Sequence, residues 1–135
     1  MRVGIHLDPL KQKNEFIRKY ESILLYNKID YCWLDINNKF FWKEIENINI
    51  FILRWSHYDA HRGLAKTLLP ILETHYKVTC FPNQNTSWHY DDKIRQYYLL
   101  KKYNYPIIES WIFWDKEDAL LWIKKAYYPI VFKLA

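Results

Sequence analysis

The chain has 135 residues, half of them hydrophobic and 26% charged, a balance that supports one hydrophobic core and excludes an intrinsically disordered protein. Its formal charge of +5 comes from 20 Lys and Arg set against 15 Asp and Glu, interleaved along helix-like stretches with no basic tail. The only glycines are Gly4 and Gly63, so a glycine-rich phosphate cradle is excluded.

With 12 Tyr and 7 Trp, the aromatic share reaches 19%. A core of this size cannot hide that many rings, so many must sit at the surface or line a cleft. Cys32 and Cys80 lie in apolar, strand-like runs without CxxC spacing, which reads as two buried free thiols in a reducing, cytoplasmic setting. Met1-Arg2 leads straight into a strand pattern with no signal-peptide features, and no apolar run approaches the ~20 residues of a membrane span.

In chain order, Val3 to Leu7 is an apolar run stopped by Asp8-Pro9, a strand followed by a turn. From Lys11 to Lys28, the spacing of Phe16, Tyr20, Ile23 and Leu24 predicts an amphipathic helix that buries those four side chains. Tyr31 to Ile36 is a second strand, Asn37-Asn38 a turn, and Phe40 to Ile45 a helical turn. Ile48 to Trp55 is nearly continuous and rich in β-branched residues, as a strand covered on both faces should be. Ala60 to Tyr76 places Leu64, Leu68, Ile71 and Leu72 on one helical face and should kink at Pro70; Val78 to Phe81 is a fourth strand. Strands alternating with helices predict an α/β fold with a Rossmann-like parallel sheet over residues 1–82.

The polar stretch Pro82 to Ser87 marks a boundary, and a second piece spans 83–135. Asp91-Asp92 opens a helix running to about Asn104, and Tyr105-Pro106 stops it. Glu109 to Trp114 alternates polar and apolar like a strand. Asp115 is a candidate N-cap for a helix bearing Ala119, Trp122, Ile123 and Ala126, and Ile130 to Phe132 forms a last strand carrying Lys133 beyond it.

Candidate ligand contacts fall in two places. Open parallel sheets bind ligands outside the carboxyl ends of their strands, where His6 and Asp8 follow the first strand and Arg54 and His57 follow the third. Arg54 suits a carboxylate, which its guanidinium can hold with two hydrogen bonds. His57 and His61 are four residues apart, yet lack a third ligand at a recognisable spacing, so exposed loop histidines are the simpler reading. In the second piece, Lys93 is a cation in a helix's first turn, where it opposes the helix dipole unless an anion or a neighbouring acid offsets it. Lys133 sits at the end of an apolar strand, where it either reaches solvent or meets a polyanion such as a polyphosphate.

Taken in order, the elements of the second piece resemble the front of the ATP-grasp ligase superfamily. Asn83 precedes Asp92-Lys93 at the start of a helix, Pro106 closes the following link, an acid-capped helix comes next, and Tyr128-Pro129-Ile130-Val131-Phe132-Lys133 follows. The resemblance implies a pre-ATP-grasp domain, which carries part of the acceptor-substrate site, followed by the truncated opening of an ATP-grasp domain. It also implies ATP-dependent ligation of a carboxylate to an amine through an acyl-phosphate, with Mg²⁺ bridging the phosphates. Lys93 and Lys133 would then approach bound ATP, and His6, Asp8, Arg54 and His57 a small-molecule or peptide substrate. The family's glycine-rich loop and magnesium ligands have no counterpart here, so the expectation is a portion inactive on its own, open to homodimer formation. Two other readings stand beside it: a non-catalytic binding module, and a nucleic-acid binder drawn from the +5 charge and the aromatic content.

Overall fold

Successive residues of a strand point to opposite faces, so a strand apolar at every position must be covered on both. That requirement shapes the computed structural model, which describes residues 1–6, 15–56 and 58–133. The chain divides into two compact units, Met1–Trp88 and His89–Ala135.

The first unit is α/β. Its four strands are β1 (Arg2–His6), β2 (Asp30–Leu34), β3 (Ile50–Ile52) and β4 (Thr79–Phe81), joined in the order β2-β1-β3-β4 with every pair parallel. Helix α1 (Glu15–Tyr26) connects β1 to β2, the short α2 (Phe41–Glu44) and a 3₁₀ turn (Ile45–Asn47) connect β2 to β3, and α3 (Asp59–Thr74) connects β3 to β4. This is the Rossmann-like parallel sheet that the sequence predicts.

The pleat divides the core in two. Val3 and Ile5 of β1 pack with Leu24 of α1, joined by Tyr31, Trp33, Ile50 and Ile52. On the opposite face Leu34, Phe51, Leu53 and Cys80 meet Phe41 and Ile45 of the β2–β3 connection and Ala65, Leu68, Leu69 and Leu72 of α3. The second cluster is the larger because two connections cover that face. Gly4 lies beneath it, paired in register with Cys32 and Phe51.

Two features of these helices depart from the sequence reading. Helix α1 buries Ile17 and Leu24, leaving Phe16, Tyr20 and Ile23 at 60%, 40% and 45% exposed. The buried line runs through Glu21, whose carboxylate accepts a 2.9 Å hydrogen bond from the Tyr31 hydroxyl of β2. That bond lets an acid sit on the sheet side, and the apolar stripe of Phe16, Tyr20 and Ile23 is turned to the flank. Helix α3 runs through Pro70 without ending there, burying Ala65 and Leu69 beside Leu68 and Leu72.

The first unit also extends past the polar boundary signal, because residues 84–87 fold back as α4 (Gln84–Ser87). Asn83 and Thr86 cap it reciprocally: Asn83 Oδ1 accepts from the Thr86 N–H at 2.8 Å, and Thr86 Oγ1 from the Asn83 N–H at 3.1 Å. The Gln84 N–H donates to Glu73 Oε2 of α3 at 3.2 Å, tying the turn to this unit.

Burial raises the Cys80 thiol to about 12, with the nearby Glu73 charge adding in the same direction, and burial raises Cys32 as well. A thiol reacts as its thiolate, so Cys80 in the native chain should resist iodoacetamide at pH 8 and alkylate once urea exposes it. The linkage sign follows. The folded state holds the Cys80 proton more tightly than the unfolded state, so the corresponding stability is complete below the ordinary thiol range and is lost as pH rises towards 12. Urea titrations between pH 8 and 11 check this, and midpoints that rise with pH would contradict it.

The second unit is built differently. Helices α5 (Lys93–Lys102) and α6 (Lys116–Ile123) are separated by an extended segment, and none of its described residues is buried. Asp92 caps α5 by accepting the Arg95 N–H at 2.9 Å, and Asp115 caps α6 by accepting from Glu117 and Asp118 at 2.8 and 3.1 Å. Helix α5 ends with Asn104 in the left-handed region, the Asn104 N–H bonded to the Lys101 carbonyl and the Tyr105 N–H to the Leu100 carbonyl. This Schellman ending satisfies the last carbonyls, and asparagine tolerates the conformation better than most residues.

The strands predicted at Glu109–Trp114 and Ile130–Phe132 do not form. A strand needs a hydrogen-bonded neighbour, and neither segment is paired in a ladder among the described residues. The alternation in 109–114 still has a use, since Trp111 and Phe113 share one side and pack on Trp122 of α6 with ring centroids 4.6 and 5.5 Å away.

Candidate functional site

In the order β2-β1-β3-β4, the chain leaves β1 for one neighbour and later returns to its other side with β3. The connections at the carboxyl ends of β1 and β3 therefore diverge, and the gap between them is where open parallel sheets place ligands. The residues past β3 alternate: Leu53 turns into the core, Arg54 out to solvent, and Trp55 back against the larger cluster.

Arg54 is exposed, with its guanidinium carbon 4.2 Å above the centre of the Phe16 ring of α1. An exposed cation–π contact of this kind contributes about 0.5–1 kcal/mol, and it orients the planar group without neutralising it. No acid pairs with Arg54 among the described residues, and its guanidinium carries five N–H donors of a geometry suited to a carboxylate or phosphate.

His6 ends β1 and is 1% exposed. With the proton on Nδ1 it donates to the Leu34 carbonyl at 3.2 Å, whereas the other tautomer accepts the Ile36 N–H at 3.5 Å. Either way the imidazole ties the carboxyl end of β1 to that of β2. Asp8 and His57 lie outside the described residues.

A pair that sequence reasoning did not single out stands next to Arg54. The Ser56 Oγ is 2.5 Å from His61 Nδ1, and both residues are partly buried. The Tyr58 N–H also donates to Ser56 Oγ, at 3.4 Å, and the Tyr58 ring meets the His61 ring edge-on at 5.8 Å. The spacing Ser56-x-x-x-x-His61 carries no motif, because the pairing depends on β3 ending where it does and α3 starting at Asp59. In the sequence His61 reads, with His57, as an exposed loop histidine in preference to a metal ligand. Among the described residues no group of three His, Cys, Asp or Glu side chains could hold a metal ion.

The two lysines of the second unit, Lys93 and Lys133, are both exposed. Lys93 opens α5, and its Nζ donates to Gln96 Oε1 at 3.3 Å. The neighbouring acid Asp92 is engaged by Arg95, whose Nε lies 3.0 Å from Asp92 Oδ2. Lys133 is exposed at the end of an extended segment whose Val131 and Phe132 are 80% and 79% exposed. The strand expected to present Lys133 is therefore absent, for want of a neighbouring strand. Ser56 and His61 are in contact, Arg54 stacks on α1 and His6 joins β1 to β2, all within the first unit, and the two lysines belong to the second unit.

No protein-family model matches the sequence, and comparison with curated proteins returns no significant match. No helix among the described residues is long and apolar enough to cross a membrane.

Proposed function

We propose that this chain is the N-terminal portion of an ATP-dependent ligase that joins a carboxylate to an amine or similar nucleophile through an acyl-phosphate. The observation that carries the reading is Arg54, a guanidinium with no acid partner among the described residues, beyond the carboxyl end of β3 in the unit that precedes the Asp92-Lys93 helix. In that reading Arg54 binds the acceptor's carboxylate with paired hydrogen bonds, and Lys93 and Lys133 supply positive charge to the phosphates of ATP. In that reading this chain contributes binding and orientation. When bound, Mg²⁺ would neutralise phosphate charge during transfer.

The test is a pair of substitutions in the ligase, read against both substrates. Arg54→Ala should raise the acceptor's KM and leave ATP affinity nearly unchanged. Lys133→Met keeps the apolar stem and removes the charge, which should weaken ATP binding by roughly tenfold or more, about 1.5–3 kcal/mol for a charge-assisted contact. Calorimetric titration of ATP and initial-rate kinetics separate the two effects. Equal losses for both substrates would make Arg54 structural, and unaltered ATP affinity in Lys133→Met would remove the main support for the ligase reading.

The net charge and exposed aromatic rings also fit a single-stranded nucleic-acid surface, where bases stack on rings and cations follow the backbone. Affinity for an oligonucleotide that falls steeply with salt would favour that reading.

A further inference from the structure

We propose that Ser56 and His61 form a reactive hydroxyl–imidazole pair that accepts acyl groups from small activated esters, a covalent chemistry independent of the ligase reading. A serine hydroxyl is a weak nucleophile until a base stands within hydrogen-bond reach to take its proton. Here the base is at 2.5 Å, and it is a ring nitrogen fixed on the first turn of a 16-residue helix. The hydrogen-bond pattern sets the direction of proton movement. Ser56 Oγ accepts the Tyr58 N–H and keeps its own proton to donate, and in the tautomer that carries its proton on Nε2 the His61 Nδ1 accepts it.

The surroundings suit attack on a carbonyl. Tyr58, the N-cap residue of α3, makes no side-chain cap bond, and the first backbone N–H groups of a helix have no partner within it. Donors of that kind stabilise the oxyanion that forms when a hydroxyl adds to an ester. The rings of Tyr58 and His61 meet edge-on, which restricts the imidazole's rotation.

The step balances with the ester as the sole co-reactant. Ser56 Oγ bonds to the ester carbonyl carbon while its proton passes to His61 Nδ1. The tetrahedral adduct then collapses, the bond to the leaving oxygen breaks, and the alcohol or phenol departs with the proton from His61. Water repeats the sequence on the acyl-serine: it bonds to the carbonyl carbon, gives a proton to the imidazole, and releases the carboxylic acid as Ser56 recovers its hydrogen.

The probe is p-nitrophenyl acetate, added to the full chain at pH 8, with acetylated peptides mapped by mass spectrometry. The sequence provides internal controls in Ser22, Ser87 and Ser110. Ser56 should acetylate about 100-fold faster in the native chain than in urea, the lower end of general-base assistance, while the other three serines show no such gain. His61→Asn should abolish that gain with an unchanged far-UV spectrum. If Ser56 reacts no faster folded than unfolded, the pair only locks the turn before α3 and the proposal fails. Should His61→Asn not fold, the native-against-unfolded comparison in the unsubstituted chain decides the matter alone.

Discussion

Phe51→Ala should lower the free energy of unfolding by about 3–5 kcal/mol, the cost of removing a large ring from a core that cannot close around the gap. Phe51 is fully buried in the middle of β3, paired in register with Gly4 on one side and Cys80 on the other. Its ring meets Phe41 at 5.7 Å and belongs to the cluster that joins the sheet to α3 and the β2–β3 connection. Those neighbours are held by the sheet and by helix packing, so the vacated space would stay largely open. A loss of that size is a large fraction of the roughly 5–15 kcal/mol that keeps a domain folded. Urea denaturation followed by fluorescence measures it, and a change under about 1 kcal/mol would mean that the cluster around Phe51 is not the unit's main core.

The second large effect is expected at Gly4, for the opposite reason. A Cβ at this position would lie 2.6 Å from Leu34 Cδ1, 3.2 Å from Phe51 Cδ2 and 3.3 Å from Ile48 Cγ2. Its backbone has no positive φ, so it is space that calls for glycine here. Leu34 is itself buried and has little room to retreat. Gly4→Ala should therefore cost about 1–3 kcal/mol by overpacking, and Gly4→Val should reach or pass the top of that range. A double-mutant cycle isolates the cause. Leu34→Ala destabilises alone by leaving a cavity, but combined with Gly4→Ala it should recover at least about 0.5 kcal/mol of the summed losses. Strict additivity would show that the new methyl group meets something other than Leu34.

Arg54 and the Ser56–His61 pair divide along the same line as the rest of the molecule. Arg54 could be named from sequence because it follows a nearly continuous apolar strand, and the end of such a strand is where a parallel sheet meets its ligands. The pair could not be named, because its geometry depends on how the chain turns between Ile52 and Asp59. The strand expected before Lys133 is the converse case. Its local pattern is that of a strand, but a strand is completed by its neighbour, and local pattern carries no information about whether one is present.

Sequence by itself determined the alternation of strands and helices in the first 81 residues, since apolar runs and helical periods are local properties. It also determined the acid caps of α5 and α6, because Asp92 and Asp115 need only the N–H groups two or three residues ahead. Tertiary structure decided which stripe of α1 faces the sheet, through one hydrogen bond between Tyr31 and Glu21 across the β2–α1 contact. It decided that residues 84–87 close the first unit, through Glu73 on α3. And it decided that Glu109–Trp114 packs by its tryptophan and phenylalanine rings on α6 without entering a sheet, because an extended chain takes its hydrogen bonds from whatever partner the fold brings beside it.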